Sequence, residues 1–364
     1  MKKAAVITLH YIRNYGSVLQ TYATQKKFEM MGFDTQVVDY VRPNADESVM
    51  LKDGLESKGF SGNLLKSAIY VIIKKIESIK RNRVCIDFLN RYVHFSRRYS
   101  DYDELKRDPP EADVYITGSD QTWNSEYNGG VLPAYYLGFA PEGKKRIGYS
   151  VSIGMDKIPE KEITETKHYI EKYNAISARE DSAKQIIMDL GYENVEHILD
   201  PTMVLSGDDW RPLVAPQMIK EKYIIIYRLN PNTEMEKFAR YLSEKTECKI
   251  VRMSYYLTHF REQGKMIYTP TVEQFLSLVY YADYVITDSF HCTAFSLNFH
   301  KRFFVFYPGK YNTRIQNVLE LTGTENRVVR ELNYPIGEID YDHVDKVLNE
   351  ERAKATDFIR RNCY

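Results

Sequence analysis

Cysteine is scarce in this chain. Four residues, Cys85, Cys248, Cys292 and Cys363, are scattered along it, and no two stand in a C-x-x-C pair. That spacing argues against a zinc site or a disulfide framework and suits a reducing cytoplasm. Long apolar runs are missing as well: none approaches the roughly 20 residues that cross a bilayer. The first ten residues have a basic head, Lys2 and Lys3, but their apolar run stops at His10, shorter than a signal-peptide core, so 4–9 reads as a buried first strand. An excess of either charge is also lacking. Fifty basic side chains balance fifty acidic ones, so no overall field recruits nucleic acid or an acidic polymer. Neither G-x-G-x-x-G nor G-x-x-x-x-G-K-[ST] occurs, which removes the nicotinamide-type dinucleotide fingerprint and the phosphate loop of nucleotide hydrolases. No cluster of metal ligands stands out, and no cofactor is expected.

What the chain does have is length and alternation. Its 364 residues are too many for one ordinary core and point to two domains of roughly 150 to 200 residues each. A strand over 4–9 leads to a helix over 17–31 stopped by Gly32, and then to a strand over 35–39. Further strands read at 114–117, 146–151, 175–178 and 195–199, with a helix over 181–190 before the last. The alternation resumes with a strand at 223–227, a helix at 233–245, a strand at 249–253, a helix at 272–281, a strand at 284–287, a helix from 290 and a strand at 303–306. We therefore expect an α/β protein of two Rossmann-like, doubly wound domains, 1–212 and 213–364, with the last helix a candidate to pack back on the first. Facing each other across a cleft, two such domains make a GT-B-like architecture, which leaves the reaction open.

Residues 44–100 break the alternation and read as a helical, basic insertion. Between Lys66 and Arg98 nine Lys or Arg stand against two acids, Glu77 and Asp87, interleaved with Ile69, Val71, Ile72, Ile73, Ile76 and Phe88. A basic amphipathic helix over 64–98 is a candidate for peripheral contact with an anionic membrane, although a helix packing on the sheet explains the pattern more simply. The 30 tyrosines and 16 phenylalanines offer faces for sugar rings, but half-buried strands account for most such residues.

Five places carry groups that could do chemistry. The stretch Asp288-Ser289-Phe290-His291 ends the strand at 284–287 and opens a helix. That corner delivers a histidine, a general acid or base near neutral pH, beside backbone N–H groups that suit an anion. Asp288 could orient the imidazole or cap the helix. Asn14-Tyr15-Gly16-Ser17 follows the first strand, where a doubly wound fold places its ligand loop, and the same residues could simply turn the chain and cap the helix. Gly118-Ser119-Asp120, followed by Trp123, is rich in hydrogen-bonding groups beside an aromatic ring and suits a carbohydrate; a tight turn with Trp123 in the core is the structural alternative. Arg179, at a strand-to-helix junction, could grip a carboxylate or phosphate, or pair with Glu180 or Asp181. Asp200-Pro201 reads as a capped turn.

In this order, Asn14-Tyr15-Gly16 with Leu19-Gln20, Gly118-Ser119-Asp120, Ser177-Ala178-Arg179-Glu180, Asp200-Pro201 and Asp288-Ser289-Phe290-His291 resemble the polysaccharide pyruvyl transferase family, over about 4–323. The resemblance implies a GT-B-like fold and transfer of pyruvate from phosphoenolpyruvate to two hydroxyls of a sugar, as a cyclic ketal on a cell-surface glycan such as an exopolysaccharide, or on its precursor. It implies a cytoplasmic enzyme of cell-envelope synthesis, at the inner face of the membrane if its acceptor is lipid-linked. By this resemblance His291 is the catalytic histidine and Arg179 contacts phosphoenolpyruvate. Where several relatives show Arg-Leu before the histidine this chain has Ser289-Phe290, which leaves the donor to Arg179, backbone N–H groups, and Arg228 or Arg314. A GT-B glycosyltransferase using a nucleotide sugar and a non-catalytic glycan-binding protein are the alternatives.

Overall fold

The computed structural model describes residues 1–40, 42, 64–307, 313–332 and 337–364. Strands buried on both faces read as near-continuous apolar runs, and such strands build two fully parallel sheets here. The first has seven strands: β1 (Lys2–Ile7), β2 (Phe33–Tyr40), β3 (Phe95–Tyr99), β4 (Val114–Thr117), β5 (Lys145–Val151), β6 (Ala175–Ala178) and β7 (Val195–His197). Their order is β3-β2-β1-β4-β5-β6-β7. The second has β8 (Tyr223–Tyr227), β9 (Lys249–Ser254), β10 (Lys265–Tyr268), β11 (Tyr284–Thr287) and β12 (Arg302–Val305) in the order β10-β9-β8-β11-β12. In each sheet the strand order reverses at one place, between β1 and β4 and between β8 and β11. In open parallel sheets that reversal point, beyond the carboxyl ends of the strands, is where a ligand is expected to bind. The helices used below are α1 (Tyr15–Met30), α2 (Leu64–Tyr92), α3 (Asp181–Asp189), α4 (Thr233–Thr246), α5 (Val272–Tyr280), α6 (Phe290–Asn298), α7 (Thr313–Leu321) and α8 (Tyr341–Cys363).

Alternate residues of a strand point to opposite faces, and the apolar residues sort accordingly. Ile7, Tyr115 and Ile176 belong to the core on one side of the first sheet, and Ile224, Ile286 and Phe304 to that on one side of the second. Their strand neighbours Val6, Ile116, Ile225 and Val285 all join a single apolar cluster that also holds Trp210, Phe275 and Phe295. The inner faces of the two sheets thus share one core. Tyr15 is its cross-link: the ring stacks on Tyr255 at 4.8 Å and Phe275 at 4.5 Å, and its hydroxyl donates to the Pro270 carbonyl at 2.7 Å. Helix α8 spans both halves. Arg352 donates to the Met203 carbonyl at 3.1 Å and to Asn298 Oδ1 at 2.8 Å, while Phe358 lies against Tyr149 of the first sheet.

The described part of 44–100 is not an insertion; residues 44–63 lie outside the described residues. Helix α2 ends at Tyr92, and the helical reading to 98 fails because Phe95–Tyr99 forms β3, paired parallel with β2. The segment is a β-α-β crossover. Its strand is an edge, and edge strands carry charges such as Arg97 and Arg98 that hide the apolar alternation.

Candidate functional site

His291 reaches the first half of the molecule by lying directly on Gly16. A β-carbon built on Gly16 would fall 2.1 Å from His291 Nδ1, so only glycine leaves room for the imidazole. Asn14 caps α1 by accepting from the Ser17 amide at 2.8 Å. The Ser17 hydroxyl is then free to donate to Asp120 Oδ2 at 2.7 Å. Asp120 has φ 75°, in the left-handed region, a strained conformation for a non-glycine residue of the kind that collects at functional sites. Ser119, in the same turn after β4, fixes its backbone by accepting from Thr8 Oγ1 at 2.6 Å.

Strand β6 delivers Arg179, which is almost fully buried. Its Nη1 donates to Asp200 Oδ2 at 2.6 Å and to Ser119 Oγ at 3.3 Å, and its Nε donates to Glu180 at 3.3 Å. Nη2 is buried and has no hydrogen-bond partner among the described residues. Asp200 does cap the turn after it, since Oδ1 accepts from the amide and hydroxyl of Thr202. Its other oxygen holds Arg179 and lies 3.8 Å from His291 Nε2. That nitrogen is also buried and without a hydrogen-bond partner among the described residues.

Strand β11 delivers the histidine's own turn. Asp288 neither orients the imidazole nor caps α6. It accepts from the amides of Leu229 at 2.6 Å and Asn230 at 2.9 Å and so ties the loop after β8 to the site. Ser289 is the cap of α6, accepting from the Cys292 amide. Phe290 is buried, and two guanidinium groups lie over its ring, Arg179 at 5.6 Å and Arg314 of α7 at 6.0 Å. Arg314 makes no hydrogen bond or ion pair among the described residues. Arg228, the other arginine considered from the sequence, is committed elsewhere. It pairs with Glu236 and Glu262, which also hold Arg252, in a network beyond β8 and β9.

The far end of α6 is tied down as well. Asn298 donates to the Thr202 carbonyl at 2.8 Å and the Leu205 carbonyl at 3.3 Å, so the helix carrying His291 is fastened to the turn carrying Asp200.

Charge at this place is concentrated and incompletely paired. Burial lowers the His291 pKa and Asp200 pulls it back up, but Arg179 opposes, and the net shift is downward. Burial would raise Asp200, yet Arg179 and His291 hold it below its ordinary value. Arg314 is lowered by burial and by repulsion from Arg179. A narrow recess of ≈ 20 Å³, lined by Arg179, Asp200, Phe290, Arg314 and Asn317 among others, adjoins the cluster. Two arginines that repel each other, an unpartnered imidazole nitrogen and an unpartnered guanidinium nitrogen suit an oxyanion with more than one charge.

The other residues singled out in the sequence lie around this center or inside the core. Gly118 packs against Val6 and Thr8. Trp123 is in the core, stacked on Tyr136 at 4.9 Å, with its Nε1 donating to the Tyr135 carbonyl. Tyr15 is the cross-link described above.

The two parallel sheets and their junction define an α/β protein of GT-B-like fold. A family model for polysaccharide pyruvyl transferase matches residues 14–310, and the chain belongs to that family. Solved structures agree on the fold. UDP-GlcNAc 2-epimerase from Neisseria meningitidis, bound to UDP-GlcNAc, is 10% identical with a TM-score of 0.51, over 100% of this chain and 99% of that one. A protein described as a putative UDP-N-acetylglucosamine 2-epimerase from Listeria monocytogenes is 11% identical with a TM-score of 0.50, over 98% and 91%. Among curated proteins there is no significant match.

Proposed function

We propose that this chain transfers pyruvate from phosphoenolpyruvate to two hydroxyls of one sugar, forming a cyclic ketal on a cell-surface glycan or its precursor. The observation that carries the reading is that Arg179 and Arg314 line one recess with Asp200, whose carboxylate lies 3.8 Å from His291 Nε2, and that Nη2 of Arg179 and Nε2 of His291 have no hydrogen-bond partner among the described residues. The arginines would hold the donor's phosphate and carboxylate, with Arg314 supplying the charge that Ser289 does not. Protonated His291 gives its proton to C3 of the donor, which leaves C2 oxocarbenium-like. A sugar hydroxyl oxygen bonds to C2 and its proton passes to the imidazole. The bond from C2 to the phosphate oxygen then breaks, and a second hydroxyl closes the ketal as its proton leaves with the phosphate. Arg179 and Arg314 stabilize the charge on the departing group.

Incubation with phosphoenolpyruvate and candidate glycans tests this. Phosphate release with a mass gain of pyruvate minus water is the expected result, and thermal stabilization by a nucleotide sugar but not by phosphoenolpyruvate would replace the reading with a glycosyltransferase. Binding of glycans with turnover of neither donor would leave a glycan-binding protein. The network of Arg228, Glu236, Arg252 and Glu262 weighs against a diphosphate beyond β8 and β9, since both guanidinium groups already pair with carboxylates, although Arg228 Nε has no partner among the described residues. In this reading the protein works in the cytoplasm, and α2 brings it to the inner face of the membrane when the acceptor is lipid-linked. No helix among the described residues is long and apolar enough to cross a membrane.

A further inference from the structure

A second set of cations without an ion-pair partner among the described residues lies at the carboxyl edge of the first sheet. Tyr11 follows β1, and two guanidinium groups lie over its ring, Arg13 at 5.0 Å and Arg98, at the end of β3, at 5.5 Å. Neither arginine meets a carboxylate within ion-pair distance among the described residues; Arg13 Nη1 donates only to the His10 carbonyl at 3.2 Å. The neighboring Arg97, by contrast, is paired with Glu104 and Asp108. The tyrosine is braced from below. Its hydroxyl donates to Asp39 Oδ1 at 3.0 Å, and the same oxygen lies 3.2 Å from His10 Nε2. One carboxylate therefore faces two arginines and the His10 ring. Arg13 is partly buried, and burial lowers its pKa, as it does for a cation kept out of water without a counter-charge.

Position gives the cluster its meaning. Arg13 is three residues before Gly16, on which His291 rests, and three residues span at most about 10 Å. The cluster thus lies at the same carboxyl edge of the first sheet as the turn on which His291 rests, within reach of a sugar placed beside the histidine. We propose that Tyr11, Arg13 and Arg98 form an acceptor subsite for a sugar that carries an oxyanion close to its ring, with Tyr11 as the platform that sets the two forks. The phosphate of a sugar phosphate and the carboxylate of a uronic acid share this chemistry. The inference rests on the pyruvyl-transfer reading for its role and on the cations alone for its ligand.

The test compares wild type with Arg13→Gln/Arg98→Gln, using N-acetylglucosamine 1-phosphate, glucuronic acid and neutral N-acetylglucosamine as probes in titration calorimetry. Wild type should bind at least one charged probe more tightly than the neutral sugar, and the double variant should lose that preference by roughly 10- to 100-fold. Preference for the phosphate identifies one source of the anion and preference for the uronate the other. Equal binding of charged and neutral sugars by wild type, or a preference that survives in the folded double variant, overturns the subsite. The two readings fail separately. Charged-sugar binding lost in the variant, with no phosphoenolpyruvate turnover in either protein, keeps the subsite and removes the transferase; turnover whose preference for charged acceptors is the same in both proteins does the reverse.

Discussion

Gly16 is where the two halves of the site touch, and its single missing carbon makes it a sharp probe. Gly16→Ala would force the His291 ring aside, because the new carbon would sit 2.1 Å from Nδ1. A displacement on the order of 1 Å costs about 10²-fold in rate. Turnover should fall by that amount while donor binding, which rests on the arginines, changes little; phosphate-release kinetics with parallel calorimetry reads both. His291→Ala should lower turnover by roughly 10² to 10⁴, and undiminished turnover would remove the histidine from the mechanism. The pH dependence follows from its surroundings. His291 lies below its ordinary value in the free protein, so near pH 7 it is neutral, and an arriving polyanion raises it. Binding should therefore take up a proton, and donor affinity should weaken as pH rises through the raised pKa of the complex. Calorimetry in buffers of different ionization enthalpy measures that proton, which His291→Gln should not take up. Arg179 is harder to probe, since it neutralizes buried Asp200. Its removal should cost about 3–5 kcal/mol of stability, so Arg179→Lys, which keeps the charge and loses the fork, is the better test of donor KM.

How much of this site could be read in the sequence depends on how local each role is. His291, Gly16 and Arg179 stand at strand ends followed by polar turns, a pattern confined to a few residues. Asp200 shows only its capping role in such a window, because its second oxygen is held by Arg179, 21 positions away, and by Ser119, 81 positions away. Arg314 offers no local signal that separates it from Arg228. The partners that distinguish the two, Glu236 and Glu262 for Arg228 and the Phe290 ring for Arg314, come together only in the fold.

At the level of elements, the strands the sequence hides are β3 and β10, each the outer strand at one edge of its sheet and only partly buried. Central strands announce themselves by burial on both faces, whereas an edge needs no continuous apolar run. Helix α2 has the opposite character, because it shows more apolar surface than its packing requires. Cys85 and Phe88 are buried, yet Ile69, Ile72, Ile76 and Ile79, spaced by three and four residues, are 49%, 58%, 49% and 59% exposed. That spacing makes one stripe, and the exposed Lys75 and Arg83 are on the same helix. If the stripe meets a membrane, wild type should pellet with anionic vesicles, and replacing the four isoleucines with glutamine should abolish pelleting with little change in melting temperature. A wild type that stays in the supernatant at low salt would sink the membrane contact.

For the molecule as a whole, the shared inner core implies that the two sheets melt together. A single calorimetric transition is expected, and Tyr15→Ala, which empties the space between Tyr255 and Phe275, should lower stability by about 3–5 kcal/mol. Two resolved transitions would show that the halves are thermodynamically separate. The connection between β7 and β8 has a different standing. It runs through exposed Lys220 and Lys222, and the contacts of Tyr15 with Pro270, of Asn298 with Thr202 and Leu205, and of Arg352 with Met203 join the parts on either side of those lysines. A trypsin cut there would sever the polypeptide and leave the particle whole: two bands under denaturing electrophoresis, one peak in gel filtration, and a histidine still seated on its glycine.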